Sequence, residues 1–154
     1  MPYLVDFEVV VLNTGAHVVR SVKSYEEITR RAVTALGDIG YDGDVFYRTA
    51  TPGHTHCGNA TGPLNLEDEG AFGLFEDYDD PDFYRFKWGQ MVEGNEIARR
   101  LWPEVGATIL DGAPIFRLRP DGHRSEKDCL HYSLPGPPDL WAWLLYNALS
   151  GRIA

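Results

Sequence analysis

Cysteine is scarce in this chain of 154 residues: only Cys57 and Cys129 are present. Two cysteines allow one bridge or two free thiols, and the count alone leaves both the pairing and the compartment open. Long apolar runs are also lacking, since nothing approaches the roughly 20 residues that span a bilayer. Positive charge is thin, with 14 Lys and Arg against 23 Asp and Glu and a formal net charge of −9. That balance excludes a general electrostatic affinity for nucleic acid or an anionic membrane. The opening "MPYLVDFEVVVLN" has no basic region ahead of its apolar part and carries Asp6 and Glu8. It reads as neither a signal peptide nor a membrane anchor. The stretch "EDEGAFGLFEDYDDPD" has no basic residue among its 16 positions and reads as a solvated loop.

What is present fits one domain, residues 1–154, with ordinary globular composition: 44% hydrophobic and 24% charged residues. "VDFEVVVLNTG" is a β-branched run ending in a turn, the pattern of a buried strand. "SYEEITRRAVTALGDIG" follows, with Ser24 and Glu27 at capping-box spacing and Ile28, Ala32, Val33 and Leu36 on one helical face. "DVFYRTAT" reads as a second strand and "PGHTHCGNATGPLN" as a loop. Trp88 to Trp102 reads as a helix closed by Pro103, although Gly89 and Gly94 weaken its first turns. "GATILDG" is a third strand. A last helix is expected from Pro138 or Asp139, burying Leu140, Trp141, Leu144, Leu145 and Leu149. The alternation implies an α/β fold with a parallel sheet covered by helices. Functional loops of such a sheet gather at the carboxyl ends of its strands. Four of the five histidines lie in or beside the three loops expected there.

Several constellations carry possible chemistry. Asp128 and His131 stand three apart in "DCLH", read as a loop before a Pro/Gly-rich turn. A carboxylate there can fix an imidazole's tautomer for general-base work, or the pair can be a loop salt bridge. Asn13 and Gly15 in "NTGAH" can give an amide donor to an oxyanion or merely satisfy a turn. His54, His56 and Cys57 concentrate imidazole and thiol, but no fourth ligand stands at a familiar spacing, so no metal site is assigned. Nothing in the residues calls for a cofactor. Arg117, Arg119 and His123 can bind a carboxylate or sugar hydroxyls, or can simply orient their loop. Of the adjacent Trp141 and Trp143, one is expected in the core and the other on the surface.

Taken together, four blocks resemble the PC-esterase group of the SGNH (GDSL) hydrolase superfamily, which includes the trichome birefringence-like polysaccharide O-acetyltransferases of plants and related fungal proteins. "DGHRSEKDCLHYSLPGPPDLWAWLLYNAL" is similar to its C-terminal signature, carried by Asp128, Cys129, His131, Tyr132, Leu134, Pro135, Gly136, Pro138, Asp139 and Trp141. "VVVLNTGAH" resembles its strand and Asn-x-Gly-His block, with one extra residue before His17. "VFYRTATPGHTHCG" resembles its Phe-Arg-Thr-x-Ser-Pro-x-His stretch, and "LDGAPIFRLRPDGH" the segment before the signature. The resemblance implies a three-layer α/β/α SGNH-like fold, with this chain as the C-terminal portion and the fold incomplete at its N-terminus. Asp128 and His131 become triad members, and Asn13, Gly15, His17, Arg48 and His54 fall on the oxyanion and substrate side. A Cys57–Cys129 bridge is implied, and with it an oxidising compartment of the secretory pathway, Golgi lumen or extracellular. The implied substrate is a carbohydrate hydroxyl or an acetylated polysaccharide; the acyl donor is not indicated.

The departures are equally definite. The family nucleophile is a serine in Gly-Asp-Ser, and this chain contains no such triplet. Ser21, Ser24, Ser125, Ser133 and Ser150 all stand in other contexts, and Ser133 replaces the signature's second cysteine. The expectation is therefore an O-acyltransferase or esterase centre without its nucleophile block. The competing expectation is a catalytically inactive portion that binds carbohydrate or a partner chain.

Overall fold

The computed structural model describes residues 3–14, 21–51, 53–65, 67 and 88–151. Three short strands form a parallel sheet in the order β1 (Val9–Leu12), β2 (Asp44–Arg48), β3 (Thr108–Leu110). Val10 pairs with Val45, Leu12 with Tyr47, and Arg48 with Leu110. The sheet is mixed with helices, as the alternation implies, and is consistent with an SGNH-like α/β fold. β2 is central, and Val45, Phe46 and Tyr47 are all buried, so it is apolar on both faces rather than alternating. The edge strand β1 alternates instead, with Val10 buried between the exposed Val9 and Val11.

The crossover helix α1 (Val22–Asp38) begins one turn earlier than Ser24–Glu27 spacing suggests. Ser21 is the cap: its hydroxyl accepts from the Ser24 N–H, and the Ser24 hydroxyl accepts from the Ser21 N–H, both at 3.1 Å. Both residues are serines, so the reciprocal box lacks the usual Glu or Gln at its third helical position. Shifting the start also shifts the face. Tyr25, Thr29, Val33 and Leu36 are buried, and Ile28 is exposed. Helix α2 (Trp88–Leu101) packs on α1 and runs into a 3-10 turn, Trp102–Val105, that contains Pro103.

Between these two helices and the sheet lies the main core: Tyr25, Val33, Leu36, Val45, Tyr47, Ile97, Ala98, Leu101, Trp102 and Ala107. Tyr47 stacks on Trp102 at 4.9 Å between centroids, and its phenol meets that of Tyr25 at 2.6 Å. Burial is the main reason the Tyr25 phenol is pushed up from its ordinary pKa. The Tyr47 hydroxyl also donates to the Thr14 carbonyl at 3.2 Å, which fixes the chain just beyond β1.

The segment after β3 departs from the loop read in the sequence. It holds a single helical turn, α3 (Ala113–Phe116), a 3-10 turn at Pro120–Gly122, and an antiparallel hairpin of β4 (His123–Ser125) and β5 (Asp128–Tyr132). The last helix, α4 (Asp139–Leu149), buries no residue fully. Leu140, Trp141, Leu144 and Leu145 are half-buried and Leu149 is 51% exposed, so the expected apolar anchor is shallow. Among the described residues no helix is long and apolar enough to cross a membrane.

Candidate functional site

The hairpin positions the Asp128–His131 pair. Successive strand residues point to opposite faces, so residues three apart would ordinarily diverge. Here His123 pairs with Tyr132 and Ser125 with Asp128, leaving one β4 residue opposite three of β5. This bulge re-aims the side chains, a use of bulges common beside functional sites. Asp128 Oδ1 accepts from the backbone N–H of His131 at 3.1 Å, and the His131 Nδ1 lies 2.9 and 3.0 Å from the two carboxylate oxygens. The sequence reading of a loop was wrong on secondary structure, since the pair sits on a bulged strand.

A carboxylate accepts only, so its contact places the imidazole proton on Nδ1 and leaves the Nε2 lone pair outward. The His131 side chain is 64% exposed. Burial pushes the Asp128 carboxyl up, but the His131 N–H and ring and the Leu130 N–H together outweigh it and hold the pKa below its ordinary value. The carboxylate is thus ionised wherever the imidazole can act as a base. Among the described residues no hydroxyl bonds the His131 ring. Ser21 and Ser24 cap α1, Ser125 accepts from Lys127 N–H, Ser133 lies 3.5 Å from the His123 carbonyl, and Ser150 donates to Tyr146.

Two links tie β5 to the loop after β2. Cys57 and Cys129 form a disulfide, the pair that the family resemblance implies. His54 N–H donates to the Cys129 carbonyl at 2.9 Å. Because Cys57 is bonded to Cys129, it offers no thiolate, and the cluster His54, His56, Cys57 loses its soft ligand. Further along, Asn95 of α2 clamps Ala50 through both amide atoms, each at 2.8 Å, and so fixes the first residues of that loop. Asn95 carries no sequence signal; a polar residue inside a helix reads as solvent-facing until the fold buries it.

His54 itself is 0% exposed, with Nε2 donating to the Arg117 carbonyl at 2.9 Å and Nδ1 2.8 Å from His123 Nε2. It supports the hairpin from inside, whereas the resemblance places it on the substrate side. His123, read from sequence as a loop residue, is also buried, and its Nδ1 lies 3.2 Å from the His131 carbonyl. Burial first, then the adjacent His54, lower the His123 pKa to about 4, so the ring is neutral at neutral pH. Tyr132 stacks on His123 at 4.2 Å and meets Phe116 edge-on at 4.9 Å. Phe116 in turn stacks on Trp141 at 5.1 Å. Gly112 admits the Trp141 ring, since a Cβ there would stand 2.6 Å from it. Trp143 is the surface tryptophan of the pair, 64% exposed. Arg119 pairs with Asp121 at 2.8 Å, an orienting contact within its own turn.

At the carboxyl end of the sheet Asn13 and Arg48 meet. Asn13 Nδ2 donates to the Arg48 carbonyl at 2.7 Å, and Arg48 Nη2 donates to Asn13 Oδ1 at 3.1 Å. The Arg48 guanidinium lies over the Trp141 ring, 5.1 Å from its centroid. Gly15 and His17, assigned to the same side by resemblance, lie outside the described residues.

The comparisons with known proteins agree with the blocks that carry the resemblance. Residues 18–148 match the family model for PC-esterase, a "GDSL/SGNH-like Acyl-Esterase family found in Pmr5 and Cas1p". Protein trichome birefringence-like 20 of Arabidopsis thaliana is 27% identical, over 92% of this chain and 32% of its own length. Protein trichome birefringence-like 25 of the same plant is 24% identical, over 84% of this chain and 33% of its own. Xyloglucan O-acetyltransferase 4 of Populus trichocarpa is 28% identical, over 66% of this chain and 27% of its own. The chain spans about a third of the length of the curated relatives it matches. With the family model covering most of the chain, this protein belongs to the PC-esterase family of GDSL/SGNH-like acyl-esterases.

Proposed function

We propose that this chain, the C-terminal part of a PC-esterase domain, carries the acid–base half of an acyl-transfer centre. Its reaction is O-acetyl transfer to, or hydrolysis from, polysaccharide hydroxyls. The observation that carries the reading is the two-oxygen contact of Asp128 with His131 Nδ1 on a bulged strand tied by the Cys57–Cys129 bond. In this reaction a serine hydroxyl, supplied from outside the described residues, gives its proton to His131 Nε2 as its oxygen attacks the acetyl carbonyl. The imidazolium keeps its Nδ1–H on Asp128. Nε2 then returns the proton to the departing sugar oxygen as the tetrahedral centre collapses to an acyl-serine. Water or a second sugar hydroxyl completes hydrolysis or transfer by the same proton path. Asn13 and Arg48 line the substrate side.

Acetate release from nitrophenyl acetate and acetylated xyloglucan oligosaccharides, by this chain together with the segment that supplies the serine, tests this directly. Asp128→Asn is expected to lower kcat about 10³- to 10⁴-fold, through the wrong tautomer, with KM little changed. No turnover above a His131→Ala background removes the catalytic reading for this chain.

A second reading has its own support: every serine of the chain has a described contact elsewhere in the fold. On that reading the domain binds carbohydrate, or a partner chain, without turnover. Calorimetry showing oligosaccharide binding with no acetate release favours it, and turnover sensitive to His131→Ala excludes it.

A further inference from the structure

Among the described residues, the other half-buried arginines, Arg99 and Arg119, are each answered by an acid. Arg30 and Arg100 share Glu26, Arg99 takes Glu96 and Asp111, and Arg119 takes Asp121. Arg48 is different. It is half-buried at the carboxyl end of the central strand, and among the described residues no carboxylate pairs with it. The acid that follows Leu110, the Arg48 partner on β3, is Asp111. That carboxylate is instead held in a fork by Arg99, at 2.8 and 2.9 Å. Burial opposes the Arg48 charge, with a smaller offset from the Tyr47 phenol and none from a carboxylate among the described residues.

The guanidinium is nonetheless held in place. Asn13 takes one Nη2 hydrogen, and the Trp141 face lies beneath, itself wedged between Phe116 and the bare backbone of Gly112. A guanidinium has five N–H donors in a rigid fork, and aromatic stacking keeps that plane fixed without using the donors. A half-buried, oriented cation whose remaining donors have no partner among the described residues is matched to a planar anion that arrives with its own two acceptors. Arg48 also connects to the His131 strand through the ring series Trp141, Phe116 and Tyr132.

We propose that Arg48, oriented by Asn13 and Trp141, is a carboxylate-binding subsite, and that the saccharide this chain takes bears a uronic acid. The inference rests on the carbohydrate reading above and adds the charge of the substrate to it. With a net charge of −9, the chain repels anions at long range. Discrimination therefore falls to this local contact.

The test is calorimetric titration of the purified chain with trigalacturonate and with its fully methyl-esterified form, which has the same rings without the charge. Wild type is expected to bind the acid about tenfold to a hundredfold more tightly than the ester. Arg48→Gln should erase that preference. Arg48→Lys should retain part of it, since the charge survives but the fork does not, and circular dichroism melts check that both variants fold. Equal binding of acid and ester by wild type overturns the subsite and leaves the carbohydrate reading standing. A preference that persists in folded Arg48→Gln overturns it too. Binding of neither ligand overturns the subsite, and titration with a xyloglucan oligosaccharide then tests the carbohydrate reading separately.

Discussion

The sheet half and the hairpin half of this molecule are held together by different forces. Around β2 the interior is apolar and closed, with Tyr47, Ala98 and Leu101 fully buried. Around β5 the described apolar cluster is smaller: Ala50, Trp88 and Met91, with Cys129 and Leu130 of β5 packed against them. The hairpin is secured by a disulfide, a buried His54–His123 contact and edge-on or stacked rings, beneath a last helix that buries no residue. Area removed from water scales with the number of apolar side chains, so a thin region must use directional or covalent links. The proposed chemistry sits in the second region. An exposed, bulged strand can present His131 only if something other than burial holds its backbone.

The largest expected effect on stability lies in the sheet half. Leu101→Ala should cost about 2–5 kcal/mol, whereas Leu149→Ala on the exposed side of α4 should cost under about 1 kcal/mol. Guanidinium denaturation of the two variants measures the gap, and equal losses would erase the contrast between regions. The disulfide comes next. Its sequence separation of 72 corresponds to about 4 kcal/mol in the chain-entropy account. Cys57→Ser with Cys129→Ser should lower the denaturation midpoint and loosen hydrogen-exchange protection at β5 more than at β2. Uniform loss across both would show that the hairpin does not depend on its own bond.

A third effect is set by pH. His123 faces His54 and Tyr132, with Asp121 and Asp128 acting on it, and its pKa of about 4 lies below the ordinary 6.5. The unfolded chain therefore binds the extra proton first as pH falls. Stability from the neutral, buried ring is complete above about pH 6.5 and is lost on descending toward pH 4, by up to about 3 kcal/mol. Melting temperatures across that window should fall in wild type and flatten in His123→Asn. A slope unchanged in the variant assigns the acid sensitivity to other groups. The smallest effect is Ser21→Ala, which removes the α1 cap and should cost about 1 kcal/mol. Ser24→Ala, keeping Ser21, should cost less, and the reverse ranking would restore Ser24 as the cap.

Legibility followed the same division. β2 and the body of α1 were readable because "DVFYR" and the spacing of Val33 and Leu36 are local patterns. The α1 start was misplaced because Ser21 and Ser24 both suit a cap, and only the helix's docking against Tyr47 and Trp102 shows which face turns inward. The hairpin escaped notice because β4 is three residues long and β5 is bulged, so neither shows a clean alternation. Asn95 on Ala50 and His54 on His123 are contacts 45 and 69 residues apart, which no local pattern contains.

By itself the sequence determined the α/β alternation, the family and the identity of the Asp128–His131 pair, because periodicity and short signatures are properties of neighbouring residues. Only the tertiary structure decided that the pair sits on a bulged strand, that His54 is interior, and that Arg48 keeps its charge while Asp111 turns to Arg99. Those outcomes depend on which distant groups compete for the same partner, and that competition exists only once the chain is folded.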